Sequence, residues 1–313
     1  MKKNSFLTVA VLLTSAAVII SCNSDEDIDI SSERTEVKFS SSIITMGTHT
    51  KASGTSWDAL DAIGMYMYEE NNVNVVESRS NIKYVTEFGG TTGSFKAAGT
   101  VIYFPDNGDK VRFMAYYPHS TSLAGDVYKV NVADQSSQPA IDLLYSFDED
   151  AKYDKTTPDK KVPLVFDHQL TKIYVNVKAG DGLTNDELQG IGVSFLNFNT
   201  EADFDLVNGE LRNQDVPAEI AARSLIAKEN YAAGFEAIVI PTVGIPDAKI
   251  KFDLNNGDTD TGVESDVFTW NFDNALDKST KYTYNVTVSR SGIVVEATIN
   301  DWLSTEDNEI VAE

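Results

Sequence analysis

Alternation constrains this chain more than any other feature. In KYTYNVTVSRSGIVVEATINDW (281–302), Tyr282, Tyr284, Val286 and Val288 fall on one face of an extended backbone. Lys281, Thr283, Asn285, Thr287 and Ser289 fall on the other. Ser291-Gly292 interrupts the run, and Ile293, Val295, Ala297 and Ile299 resume it, so the segment reads as a hairpin. Successive side chains of a strand point to opposite faces, so period-two apolarity marks a sheet with one buried face. VRFMAYYP (111–118) turns Val111, Phe113, Ala115 and Tyr117 inward, and Pro118 ends it. TKIYVNVKAG (171–180) does the same with Ile173, Val175 and Val177, and FEAIVIP (235–241) and AKIKFDL (248–254) follow suit. Asn208-Gly209, between FDLV and EL, predicts a tight turn with positive φ at both residues. Only PAEIAARSLIAKEN (217–230) reads as a helix.

Many short strands, Gly/Asn/Asp-rich turns and almost no helix predict an all-β protein built of antiparallel β-sandwiches. The charged, Pro-containing stretch FDEDAKYDKTTPDKK (147–161) reads as a linker, giving sandwiches over 35–160 and 161–313. A hydrophobic fraction of 42% is ample for two cores. The net charge of −23 opposes nucleic acid and anionic lipid as partners, since both would be repelled.

The residues of catalysis are scattered. His49, His119 and His168 lack metal-ligand spacing with one another or with the single cysteine, Cys22. There is no Ser on a glycine-flanked elbow and no phosphate-cradling glycine loop. Among 48 acidic residues, chance carboxylate pairs carry no information. DLNNGDTDTGVE (253–264) looks like a calcium loop, but counting from Asp258 the fifth position is Gly262, where a ligand is required. The expectation is a protein that is not an enzyme, with no metal and no cofactor.

Lys2 and Lys3 precede an apolar run from Phe6 to Ile20, shorter than the roughly 20 residues of a membrane span. A basic start, an apolar middle and small residues at its end describe a secretory signal over 1–21. A lone cysteine closing such a run needs a local reason. Ile19-Ile20-Ser21-Cys22 resembles the lipobox of bacterial lipoproteins, which implies cleavage before Cys22 and a lipid on its thiol. Residues 22–34 then form an acidic tether, in which Ser24, Asp25, Glu26 and Asp27 resemble the export tag of Bacteroidetes surface lipoproteins. That resemblance implies a lipid anchor in the outer face of the outer membrane.

Five phrases in order, GTSWDALDAIGMYM (54–67), IYFPDNGDKVRFMAYYP (102–118), DQSSQPAIDLLYS (134–146), VPLVFDHQLTKIYVNV (162–177) and KYTYNVTVSRSGIVVEATINDW (281–302), resemble the fimbrillin family. These are Bacteroides-type lipoproteins, the subunits and adhesins of surface pili. The resemblance implies two tandem transthyretin-like β-sandwiches and assembly by strand exchange. It further implies that a trypsin-like protease cuts after the first strand and that the emptied groove takes a strand from another pilus subunit. TEVKFSSSIITM (35–46) alternates Val37, Phe39, Ser41 and Ile43 and reads as that first strand. Lys51 lies in the following GTHTKASGTS, where the family usually has arginine; Arg34 is the other basic candidate, but a cut there would leave the strand in place. Ile293, Val295, Ala297, Ile299 and Trp302 are the candidate donor strand, or equally a permanent core strand. An adhesin would also hold a host or bacterial surface glycan or protein. The alternative is a surface lipoprotein capturing glycans as nutrients, which needs two or three coplanar exposed aromatics.

Overall fold

The computed structural model describes residues 34–43, 56–254 and 267–301. The first five strands are β1 (Lys38–Ile43), β2 (Ala62–Glu69), β3 (Ile82–Thr86), β4 (Thr92–Ala97) and β5 (Val111–Tyr117). Then come β6 (Val127–Asn131), a single helical turn α1 (Gln138–Ile141), β7 (Leu144–Phe147) and β8 (Lys161–His168). Seven of these strands close a barrel in the order β1-β4-β3-β2-β5-β7-β8. All its pairs are antiparallel except β1 with β8, which run parallel.

The rest of the chain supplies β9 (Thr171–Ala179), β10 (Gly192–Asp205), β11 (Glu210–Ala221), β12 (Arg223–Leu225) and β13 (Ala233–Val239). It ends with β14 (Lys249–Asp253), β15 (Val267–Asn271), β16 (Thr280–Ser289) and β17 (Gly292–Asp301). One sheet runs β11-β10-β14-β15, with β6 added beside β10; the other runs β12-β13-β9-β16-β17. Phe195, Ile250 and Phe252 from the first sheet and Ile173, Val175, Phe235 and Val286 from the second share one apolar core.

Alternation places the core residues as expected. Val111, Phe113, Ala115 and Tyr117 face the barrel interior with Ile63, Met65 and Met67, while Tyr66, Tyr68, Met114 and Tyr116 join the sandwich core. The two faces of β2 and β5 thus belong to two different cores, so these strands are buried almost throughout. Tyr282, Tyr284, Val286 and Val288 are all buried.

Four expectations need correction. The first half is a closed barrel, because β1 bonds on both edges and joins β4 to β8. Neither half is purely antiparallel, since β9 also runs parallel to β16. Around residue 160 the sheets interleave along the chain: β8, after it, completes the barrel, and β6, before it, pairs with β10. Residues 217–230 are no helix; β11 continues to Ala221, where Ile220, paired with Phe195, buries its side chain in the sandwich. Tertiary pairing overrides helix propensity there. Finally, Asp205 pairs with Glu210, so the turn spans 206–209, and of Asn208 and Gly209 only the glycine has positive φ (67°). Asp205 holds it, its carboxylate accepting from the Val207 and Asn208 amides.

Candidate functional site

The site that the sequence singles out is the slot occupied by β1. Against β4 the register is Phe39 to Phe95, Ser40 to Ser94, Ser41 to Gly93 and Ser42 to Thr92. Against β8 it runs from Lys38 beside Lys161 to Ile43 beside Phe166. The inward side chains Val37, Phe39 and Ile43 are 1%, 2% and 5% exposed. Phe39 meets the rings of Tyr84 and Phe113 edge-on, each at 5.1 Å. The Tyr84 hydroxyl accepts from the Ile102 amide at 2.9 Å, and burial pushes its pKa up to about 12. Each apolar side chain so buried contributes about 1.5–3 kcal/mol, and both backbone edges of β1 are satisfied.

The fourth inward position departs from this apolar pattern. Ser41 is 5% exposed, and its hydroxyl has no hydrogen-bond partner; neither has the indole N–H of buried Trp57. Gly93, opposite Ser41, makes the room: a Cβ there would lie 2.6 Å from Ser41 Oγ and 3.0 Å from Trp57 Cδ1. Trp57 in turn packs edge-on against Phe95, Tyr117 and Phe166. One inward position of β1 therefore carries a small side chain, set against a glycine on the neighbouring strand and close to Trp57.

Arg34 anchors the entry to β1. Its guanidinium hydrogen-bonds Glu77, lies 3.7 Å from Asp106 and sits 4.9 Å over the Tyr103 ring. The Glu77 hydrogen bond raises its pKa further.

Ile43, at the other end, lines a cleft of about 270 Å³ with Trp57, Asp58, Asp142, Lys172 and Glu236. Lys172 Nζ lies 3.0 Å from Glu236 Oε2, and Arg223 Nε donates to Glu236 Oε1 at 2.8 Å. Burial pushes the Glu236 carboxyl up, but the charges of Lys172 and Arg223 outweigh it and hold its pKa below the usual carboxylate range. His168 Nδ1 lies 2.8 Å from Asp142 Oδ1. Sequence reasoning missed this cluster, because Lys172 and Glu236 occupy outward positions of their strands, where charge reads as solvated.

Ile293, Val295, Ala297 and Ile299 lie on β17, which among the described residues is an edge strand bonded to β16 alone. The first three are half-buried, and Ile299 is 53% exposed. Cys22, the tag Ser24 to Asp27, Lys51 and Trp302 lie outside the described residues, as does most of the calcium-like loop. Among the described residues no group of three metal-ligating side chains gathers, and Phe88 is the one strongly exposed aromatic.

Comparison with known proteins bears on the family. A fimbrillin-like family model matches residues 50–302. A candidate fimbrium subunit, Fim1C, of Bacteroides uniformis is 34% identical over 262 residues, covering 81% of each chain. The crystal structure of a candidate cell adhesion protein from the same species matches with a TM-score of 0.69 and 31% identity. It covers 87% of this chain and 99% of that one. A second such structure, from Bacteroides ovatus, shares the fold at a TM-score of 0.67 and 21% identity, with 87% and 99% covered.

Proposed function

The chain belongs to the fimbrillin-like family, and from that premise we propose that it is a structural subunit or adhesin of a cell-surface pilus. In this reading it is not an enzyme. It is exported as a lipoprotein through Cys22, displayed on the outer membrane by the tag Ser24 to Asp27, and assembled with other pilus subunits by strand exchange. The first strand of each half runs parallel to a later strand of that half, which supports reading the halves as tandem copies of one transthyretin-like plan.

One observation carries the exchange: β1 is bonded on both sides and fills apolar pockets with Val37, Phe39 and Ile43. A strand so placed is stable while it is covalently part of the chain. A trypsin-like cut after Lys51 turns its return into a bimolecular event, and its departure leaves two unpaired backbone edges over an apolar groove. A strand from a neighbouring subunit satisfies both at once.

Limited trypsin treatment of the purified precursor tests this. The expected result is a new start at Ala52, release of the β1 segment, and ladders of oligomers that resist mild denaturant. Lys51→Ala should prevent all three. Cut protein that stays monomeric at high concentration overturns assembly by this route. Loss of acyl labelling in Cys22→Ala tests the anchor separately.

A further inference from the structure

Building on the strand-exchange reading, we propose that the slot of β1 selects its occupant through the position of Ser41, and that β17 fits it in a single register. In that register Ile293, Val295, Ala297 and Ile299 take the places of Val37, Phe39, Ser41 and Ile43.

As β1 fills it, the slot holds three large apolar side chains and, opposite Gly93, one small one. Read along the strand, its inward residues run large, large, small, large. The inward residues of β17, Ile293, Val295, Ala297 and Ile299, repeat that order at the same two-residue spacing. A slip of two residues either way puts Ile299 or Val295 in the place of Ser41, beside Gly93 and Trp57. A slip of one turns Glu296 into the core, an uncompensated buried charge. One register survives.

The other edge strands of the described residues do not compete. β12 has three residues, and β6 and β15 have five each, too short for the four-position pattern. β11 is broken by two register shifts and carries Pro217. β17 pairs with β16 over ten unbroken positions and, among the described residues, has no strand partner on its other edge. Three of its inward residues are half-buried where they stand and Ile299 is 53% exposed, whereas those of the slot are almost fully buried, so transfer gains burial and a second ladder of hydrogen bonds. Ala297 also brings no hydroxyl to the place where Ser41 leaves one unpaired. Val295 underfills the Phe39 pocket, so the exchange is driven by loss of the cut strand rather than by a better fit everywhere.

In this register Glu296 of the donor stands opposite Ser94 of the acceptor, as Ser40 does within the precursor. Ser94→Cys and Glu296→Cys chains, trypsin-cut, mixed and mildly oxidised, should form an intermolecular disulfide within the oligomer ladder. Pairing Ser94→Cys with Val294→Cys or Thr298→Cys reports slips of two residues and should give little product. Ala297→Leu should weaken assembly about tenfold to a hundredfold, the factor corresponding to overpacking a tight site. Ala297→Ser, which restores the side chain of β1, should assemble nearly as wild type. Oligomers cross-linked mainly through 294 or 298, oligomers with no such disulfide, or undiminished assembly of Ala297→Leu overturn the register while leaving strand exchange standing. Cut chains that never oligomerise overturn both.

Discussion

β1 and β17 carry the same order of large and small side chains in different settings. β1 lies between two neighbours, with Val37, Phe39 and Ile43 each at most 5% exposed. Among the described residues β17 lies at a sheet edge with one neighbour, with Ile293, Val295 and Ala297 half-covered and Val294 and Ile299 61% and 53% exposed. The difference shows that an apolar alternating strand is not by itself a core strand. Its contribution depends on how many edges and faces the rest of the molecule covers, and an uncovered edge is a place where another chain can be read.

The sharpest way to break the comparison is truncation. Phe39→Ala should cost about 3–5 kcal/mol, since it empties a pocket framed by Tyr84 and Phe113. Val295→Ala should cost about 1 kcal/mol or less, because a half-exposed side chain forfeits only part of its transfer energy. Denaturant midpoints of the precursor measure both, and equal costs would erase the contrast.

The ends of β1 provide a second test. Ile43 borders the cleft that holds Glu236 between Lys172 and Arg223. Glu236→Gln should destabilise by up to about 3–5 kcal/mol, because it leaves a buried ammonium short of its counter-charge. The Glu236 pKa is held below its ordinary 4.5, so its contribution is complete above that value and is lost as pH falls through the lowered pKa. The acid limb of the wild-type stability curve should therefore be shallower in the glutamine variant.

Two smaller effects sharpen the account of the slot. Gly93→Ala should cost about 1–3 kcal/mol, since the added methyl would press on Ser41 and Trp57. Ser41→Ala should stabilise the precursor by about 1 kcal/mol, because it removes a buried hydroxyl that bonds to nothing. Destabilisation by Ser41→Ala in a melting experiment would mean that the hydroxyl is satisfied, for example by an ordered water.

Much of the candidate site was legible before any fold was known. Val37, Phe39 and Ile43 could be assigned to one buried face because a strand's side-chain period is two, whatever it pairs with. The hairpin of β16 and β17 was legible too, since Ser291-Gly292 breaks the run between two alternating arms. The special character of Ser41 was not. It arises from Gly93 and Trp57, which the fold brings beside it from other parts of the chain. Lys172 and Glu236 escaped for the same reason: each looks solvated alone, and only the pairing of β9 with β13 sets them together.

The sequence by itself determined which face of each strand is apolar, that the protein is nearly all β, and that β1 and β17 carry matching side-chain orders. These are local properties, written in neighbouring residues. The tertiary structure alone decided that β1 closes a barrel by running parallel to β8, that β6 joins the sandwich sheet beside β10, and that β17 remains at an edge. Strand partners are chosen by contacts between distant parts of the chain, where many pairings satisfy the same alternation and only the packing of the whole separates them.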